Sequence, residues 1–157
     1  MILDWGLAKL VGEPAEVRPL TPLPQDLAGD PTSRTIQGQV LGTPAYMAPE
    51  QAAGEVDRID PRTDVYGVGA ILFEVLAGRP PFTGGTVQSV LDRVRHLKPD
   101  RPRDLVKGVP PALEAICLKC LEKRPEDRYP GARRPAQEVE RFLADEPVEA
   151  YREPPSA

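Results

Sequence analysis

The sequence has few of the residues that hold metals or form cross-links: its 157 residues include two cysteines and one histidine. Cys117 and Cys120 alone cannot build a disulfide framework, and a zinc site would need two ligands beyond them. His96 has no evident catalytic partner. Because the two cysteines lie beside Ile116 and Leu121 on a predicted helix, we expect both thiols to pack in the core.

The sequence also has no export signal and no apolar run long enough to cross a membrane. Met1 is followed by neither a basic stretch nor an apolar signal core. The longest mostly apolar run, from Val65 to Ala77, contains Glu74 and is too short for a bilayer, which favours a buried helix. The net charge of −4 argues against a general nucleic-acid binder, which would carry a basic excess. We expect a cytoplasmic protein with no nucleic-acid partner and no membrane segment in these residues.

Proline, in contrast, is abundant, at 20 residues, or roughly 13% of the chain against a usual ~5%. So many prolines break the chain into short elements or long irregular segments. Residues 11–41 show no sustained hydrophobic period and are predicted to form a long surface loop of the kind that is usually functional or disordered.

From residue 42 onward the hydrophobic spacing predicts a mainly α fold. We expect a short helix near 49–53 and longer helices near 63–77, 86–97, 111–122 and 133–144. Thr63 or Asp64 is the expected cap of the second helix, and Gly78 ends it. Residues 99–111 are predicted to be a proline-rich connection, and the acidic tail from Asp145 is expected to fray.

An ordered set of motifs runs through this pattern. Asp4-Trp5-Gly6 begins a segment that contains Gly42-Thr43-Pro44-Ala45-Tyr46-Met47 and ends at Ala48-Pro49-Glu50. Asp64-Val65-Tyr66-Gly67-Val68-Gly69 and, later, Arg128 follow it. Over residues 1–144 this set resembles the C-terminal half of a eukaryotic-like (Hanks-type) bacterial protein serine/threonine kinase. The resemblance implies a partial large lobe of the protein-kinase fold: an irregular activation segment at 1–50, a helical lobe at 51–144, and an acidic, proline-containing tail at 145–157.

By this resemblance, Asp4 is the Mg²⁺ ligand, and the metal bridges and neutralises ATP phosphate oxygens. A carboxylate is the hard oxygen ligand that such a cation prefers. Gly6 permits the backbone turn beside the nucleotide, while Trp5 departs from the family's usual phenylalanine but remains a large aromatic. Thr43 corresponds to the threonine that hydrogen-bonds the catalytic loop and shapes the substrate-hydroxyl site.

The resemblance also implies regulatory residues. Thr32, Ser33 and Thr35 lie where such kinases are phosphorylated, and phosphate there would order the loop by pairing with arginine. Thr35 is the first choice by its distance from Gly42, and unmodified hydroxyls remain the alternative.

Three further residues are expected to be structural. Glu50 and Arg128 correspond to the family's buried ion pair. Asp64 corresponds to an aspartate that accepts hydrogen bonds from the catalytic-loop backbone, with an ordinary helix cap as the alternative role.

The sequence contains no His-Arg-Asp, and only three residues precede Asp4. In family order the Gly-rich loop, the strand-3 lysine with its glutamate, and the catalytic-loop Asp and Asn all precede Asp4. One interpretation is therefore that the chain is part of a kinase that transfers the ATP γ-phosphoryl group to Ser or Thr hydroxyls of protein substrates. The N-terminal half of that kinase would be its missing partner. The alternatives are a non-catalytic, pseudokinase-like interaction module or remnant, and an unrelated helical adaptor.

The absence of these kinase motifs from the chain affects both what it can bind and how it packs. ATP and Mg²⁺ are expected in the complete kinase but not on this chain alone. One side of the 63–77 helix, which would lack its neighbours, should be exposed and make the isolated chain poorly soluble or loosely packed. Relatives with an end similar to Leu143–Pro147 often continue toward a membrane anchor, so the expected location includes the cytoplasmic part of an anchored protein.

Overall fold

A computed structural model describes residues 44–151, and this part of the chain is helical, without a strand. Short 3-10 turns precede, separate and follow some of the helices, at Pro44–Tyr46, Val56–Arg58 and Pro125–Asp127. The α-helices are α1 (Pro49–Ala52), α2 (Pro61–Ala77), α3 (Val87–His96), α4 (Pro102–Leu105), α5 (Pro111–Cys120) and α6 (Arg133–Leu143). The predicted mainly α fold is confirmed, with the expected helices ending within two residues of their predicted bounds.

Helix α2 begins earlier than predicted, because its N-cap is Asp60 rather than Thr63 or Asp64. The Asp60 carboxylate accepts a hydrogen bond from the backbone N–H of Arg62 at 2.7 Å, and the Thr63 hydroxyl accepts one from the Asp60 backbone N–H at 3.2 Å. These bonds satisfy two of the free donors at the helix start, and Pro61 fits the first helical position, where no N–H is needed. Gly78 ends the helix in the left-handed conformation, with φ 73°.

Helix α2 lies between two groups of buried side chains. Tyr66, Ala70 and Phe73 face a cluster formed with α1 and α3, whereas Val65 faces a cluster formed with α5 and the residues after α6. Complete burial of a side chain such as Phe73 contributes about 1.5–3 kcal/mol, so α2 organises the packing of this lobe.

Helices α2 and α5 approach closely at Gly69. A Cβ atom added there would lie 2.5 Å from Cys120 Cβ, and Cys117 Sγ lies 3.5 Å from the Gly69 carbonyl oxygen. Both cysteines are free and buried, and burial raises the pKa of each thiol, to about 12 for Cys120. The expectation that the thiols pack in the core is confirmed.

The connection between α3 and α5 contains α4, which the sequence pattern did not predict. Its start is held by Glu114 on α5, whose carboxylate is almost fully buried. Glu114 accepts a hydrogen bond from the Arg103 backbone N–H at 2.8 Å and another from the Arg101 side chain at 2.8 Å. A side chain from a later helix therefore fixes this proline-rich stretch.

The residues after α6 fold back onto the lobe, so the expectation of a frayed tail is wrong for residues 145–151. Val148 is buried within the cluster that contains Val65. The fully buried carboxylate of Glu138 accepts hydrogen bonds from the backbone N–H groups of Glu149 and Ala150, at 2.8 and 3.2 Å. We call residues 145–151 the C-terminal strap. No helix in residues 44–151 has the length and apolar character needed to cross a membrane.

Candidate functional site

The most buried charged contact that the structure describes joins Glu50 of α1 to Arg128, which follows the Pro125–Asp127 turn. The Arg128 guanidinium donates two parallel hydrogen bonds to the Glu50 carboxylate, at 2.8 and 2.9 Å. Both side chains are almost completely buried, with exposed fractions of 0% and 2%. Such a two-bond pair fixes the orientation of both groups as well as neutralising them.

Every N–H group of the Arg128 guanidinium has an acceptor. Beyond the two bonds to Glu50, it donates to the backbone carbonyls of Glu122, Lys123 and Arg62 at 2.8 to 3.0 Å. Since arginine has five such donors in a fixed geometry, Arg128 connects α1, the first turn of α2 and the loop after α5 at one point.

The Glu50 carboxylate also accepts a hydrogen bond from helix α2. The Thr63 hydroxyl donates to its carboxylate at 2.8 Å. Burial alone would raise the pKa of Glu50, but the hydrogen bonds and positive charge of Arg128, with the Thr63 hydroxyl, hold that pKa below its usual value. Glu50 therefore remains charged at neutral pH although it is buried.

A second contact ties the same segment to α2, and the sequence analysis missed it. The Tyr46 hydroxyl donates to the Glu74 carboxylate at 2.6 Å, and this hydrogen bond to the charged group is the main cause of a raised pKa of Tyr46. The available signal was Glu74 itself, the one charged residue within the mostly apolar run from Val65 to Ala77. Tyr46 and Glu50 thus anchor the segment 44–52 at two places.

Asp64 does not join this cluster. It lies in the first turn of α2 and is exposed. Val68, Ile71 and Val75 follow it at helical spacing and are 39%, 58% and 75% exposed. We call these three residues the apolar stripe of α2. The expectation that one side of this helix is exposed is confirmed.

The remaining predicted site residues fall outside the described range. They are Asp4, Gly6, Thr32, Ser33, Thr35 and Thr43. Within residues 44–151 no three His, Cys, Asp or Glu side chains come together as a metal site would require. The described donors therefore do not assemble a magnesium site, and the expectation for this metal rests on Asp4.

The protein kinase domain family matches residues 1–139. The chain is 40% identical over 149 residues to the serine/threonine-protein kinase PknB of Mycobacterium leprae, and 35% identical over 149 residues to PknB of Mycobacterium tuberculosis. Each match covers 95% of this chain and 21% of the relative.

A third relative is a DNA damage-responsive serine/threonine-protein kinase, RqkA, from Deinococcus radiodurans. It is 50% identical over 95 residues, which cover 60% of this chain and 14% of the relative. The chain therefore spans only about a fifth or less of the length of these relatives.

Proposed function

Because this chain belongs to the protein kinase domain family, we propose that it is the C-terminal part of a protein serine/threonine kinase of the bacterial, eukaryotic-like type. The complete protein would transfer the γ-phosphoryl group of ATP to Ser or Thr hydroxyls of protein substrates. In this proposal residues 1–50 form the activation segment, residues 51–144 form the helical lobe, and residues 145–157 follow the kinase domain.

The observation that carries the proposal is the buried Glu50–Arg128 pair. Phosphoryl transfer depends on positioning and on stabilisation of charge rather than on covalent chemistry by the protein. A segment that presents a substrate must therefore be held firmly. Glu50 and Tyr46 tie residues 44–52 to the lobe, and Thr43, the proposed substrate-site residue, immediately precedes them.

The predicted site residues outside the described range have other proposed roles. Asp4 would hold Mg²⁺, which supplies charge neutralisation at the ATP phosphates when it is bound, and Gly6 would allow the turn beside it. Thr32, Ser33 and Thr35 are proposed regulatory positions, with Thr35 preferred. Arg128, Glu50 and Asp64 are proposed as structural residues.

The proposed phosphoryl transfer also requires residues beyond these 157, since no His-Arg-Asp occurs among them. The exposed apolar stripe of α2 supports this view, because an unpaired apolar face is typical of a surface that another element covers. We therefore expect the chain alone to bind no Mg·ATP and to transfer no phosphate.

The test is a chimera in which residues 1–151 replace the matching segment of the Mycobacterium leprae relative. We expect the chimera to transfer radiolabelled phosphate from Mg·ATP to casein, and the chain alone to show neither transfer nor heat of ATP binding in calorimetry. Asp4→Asn in the chimera should lower transfer by about a hundredfold or more, as losses of charge stabilisation do.

The matched control is Asp145→Asn, which makes the same chemical change in the strap and should leave transfer within about twofold, as surface changes usually do. A folded chimera that transfers no phosphate would refute the kinase proposal and support the non-catalytic interaction module. Thermal unfolding of each variant distinguishes that result from misfolding.

A further inference from the structure

A small open cavity with a basic lining lies between α1, the Val56–Arg58 turn, the last turn of α3 and the loop after α5. Its volume is about 250 Å³. Three separate segments place basic side chains on its wall: Arg58, Arg95, His96, Lys123 and Arg124. We call it the basic pocket. Its acidic lining residues are Glu50 and Glu55, in a chain whose net charge is −4.

Several of these charges are already used within the lobe. Glu50 is neutralised by Arg128, and Glu55 pairs with Arg58 at 2.7 Å. Lys123 Nζ donates to the Val94 carbonyl oxygen at 2.6 Å, and burial lowers the pKa of its amine to about 8. Lys123 therefore belongs to the wall of the pocket rather than to its accessible donors.

Arg95 and Arg124 differ from Arg58 because their acidic partners, Asp92 and Glu126, do not line the pocket. Arg95 lies 3.5 Å from Asp92, and Arg124 lies 2.9 Å from Glu126. Both acidic partners are about half exposed, so water can solvate their carboxylates if the arginines turn away. Exposed ion pairs of this kind contribute little to stability, so an incoming anion can replace such a partner at little cost.

His96 adds a third polar group at the same place. Its Nδ1 lies 2.9 Å from the Asp92 carbonyl oxygen, which leaves the other ring nitrogen unused by this contact. Arg95 and His96 come from the end of α3 and Arg124 from the loop after α5, so the packing of the lobe rather than local sequence brings them together.

We propose that the basic pocket binds an anionic side chain from an acidic segment of a protein partner. Its volume is below the ~300–1,000 Å³ of typical small-molecule sites, which favours one side chain over a whole nucleotide or metabolite. Guanidinium groups match both carboxylate and phosphate oxygens geometrically, so the anion is a phosphorylated hydroxyl residue, a glutamate or an aspartate. This binding is separate from phosphoryl transfer and does not require the proposed function to be correct.

The test uses the complete 157-residue chain, shown to be monomeric by sedimentation, and a short fluorescein-labelled peptide of glycine and serine with a single phosphoserine. Matched peptides carry glutamate or unmodified serine at that position. We expect fluorescence anisotropy to show saturable binding of at least one anionic peptide, weaker binding of the serine peptide, and loss of affinity with added salt. The phosphoserine and glutamate arms identify which anion the pocket prefers.

Arg95→Ala combined with Arg124→Ala should weaken binding by about tenfold or more, because it removes two charged hydrogen-bond donors to the anion, and such bonds are stronger than neutral ones. The control is Arg103→Ala combined with Arg133→Ala, which removes the same charge at exposed positions outside the pocket and should change affinity by less than about twofold. If the first pair fails to fold, Arg95→Lys with Arg124→Lys retains the charge and should lower affinity by losing the two-pronged geometry.

Equal losses in the pocket variants and the control would overturn the proposal, since they would indicate general attraction of charge. The absence of binding by both anionic peptides would overturn it as well.

Discussion

Arg128 and Glu50, which are 78 residues apart in the sequence, form two parallel hydrogen bonds of 2.8 and 2.9 Å in the interior of the lobe. The pair gains from close geometry, but each ion has also lost its water. Its value to the fold therefore lies less in the attraction itself than in the penalty for separating the partners.

Removal of one partner should be strongly destabilising. Arg128→Ala leaves the Glu50 carboxylate buried with only the Thr63 hydroxyl as a side-chain partner, so the free energy of unfolding should fall by about 3–5 kcal/mol. Urea unfolding followed by circular dichroism measures it. Arg124→Ala, at an exposed arginine four residues earlier, should cost less than about 1 kcal/mol. Equal losses in the two variants would contradict a special role for Arg128.

Acid should weaken the fold through Glu50. Burial alone would raise the pKa of Glu50, yet the bonds from Arg128 and Thr63 keep it below its ordinary 4.5. The unfolded chain therefore takes up this proton at a higher pH than the folded chain. The charged Glu50 side chain therefore makes its full contribution to the stability of the fold above about pH 4.5. That contribution is lost as the pH falls through the pKa of Glu50 in the folded chain.

The measurement is the urea unfolding free energy between about pH 6 and pH 3, for the natural chain and for Glu50→Gln. The fall with acid should be shallower in Glu50→Gln, because the titrating group is gone. Glu140→Gln changes an exposed residue and should keep the steep fall. Parallel curves for all three proteins would show that Glu50 does not carry the effect.

Two glycines on α2 should respond oppositely to the same substitution. Gly69→Ala places a Cβ atom 2.5 Å from Cys120 Cβ, so α2 and α5 must separate, at about 1–3 kcal/mol of stability. Gly67→Ala meets only the Tyr46 carbonyl oxygen, at 3.8 Å, and should stabilise the helix by up to about 1 kcal/mol. Thermal unfolding of the two variants compares them, and two shifts in the same direction would count against the close contact.

The C-terminal strap should detach when Glu138 is removed. Glu138→Ala deletes the acceptor of the Glu149 and Ala150 backbone N–H groups, so hydrogen exchange at both amides should accelerate by about tenfold or more. Glu140→Ala alters an exposed glutamate on the same helix and should leave those amides protected. Fast exchange of both amides in the natural chain would mean that the strap is open in solution.

The apolar stripe of α2 should limit the solubility of the isolated chain. Ile71→Gln combined with Val75→Gln should raise the monomeric fraction seen in sedimentation, because it breaks a contiguous apolar surface. Val56→Gln with Leu97→Gln changes two residues of similar exposure away from α2 and should have a smaller effect. Equal improvement in both would point to general surface hydrophobicity, and a sharp cooperative melt of a soluble natural monomer would argue against the expected loose packing.

The sequence was sufficient to predict the helices whose apolar residues repeat at three- and four-residue steps. The start of α2 was predicted at the wrong residue: Thr63 and Asp64 are possible caps, but aspartate followed by proline, as at Asp60-Pro61, is a good helix start. Helix α4 could not be predicted because it has no hydrophobic period and depends on Glu114, which lies on another helix. The strap was missed for the same physical reason, since its anchor is the buried carboxylate of Glu138.

Only some of the contacts in the candidate site could be predicted from the sequence. The positions of Glu50 and Arg128 came from the family resemblance, because no spacing rule relates residues so far apart. The Tyr46–Glu74 contact was missed, since it depends on how the segment before α1 crosses α2. The proposed roles of Asp4, Thr35 and Thr43 remain predictions that the described residues do not test.

Because all five N–H groups of Arg128 are bonded, the parts of the lobe that Arg128 joins should open together. One guanidinium binds the carboxylate of α1, a carbonyl of α2 and two carbonyls of the loop after α5. Breaking any one of these attachments leaves a buried polar group without a partner, which favours breaking all of them together. Residues 44–52 should therefore not unfold as an independent unit: their amides should exchange together with those at the start of α2, with one common opening free energy.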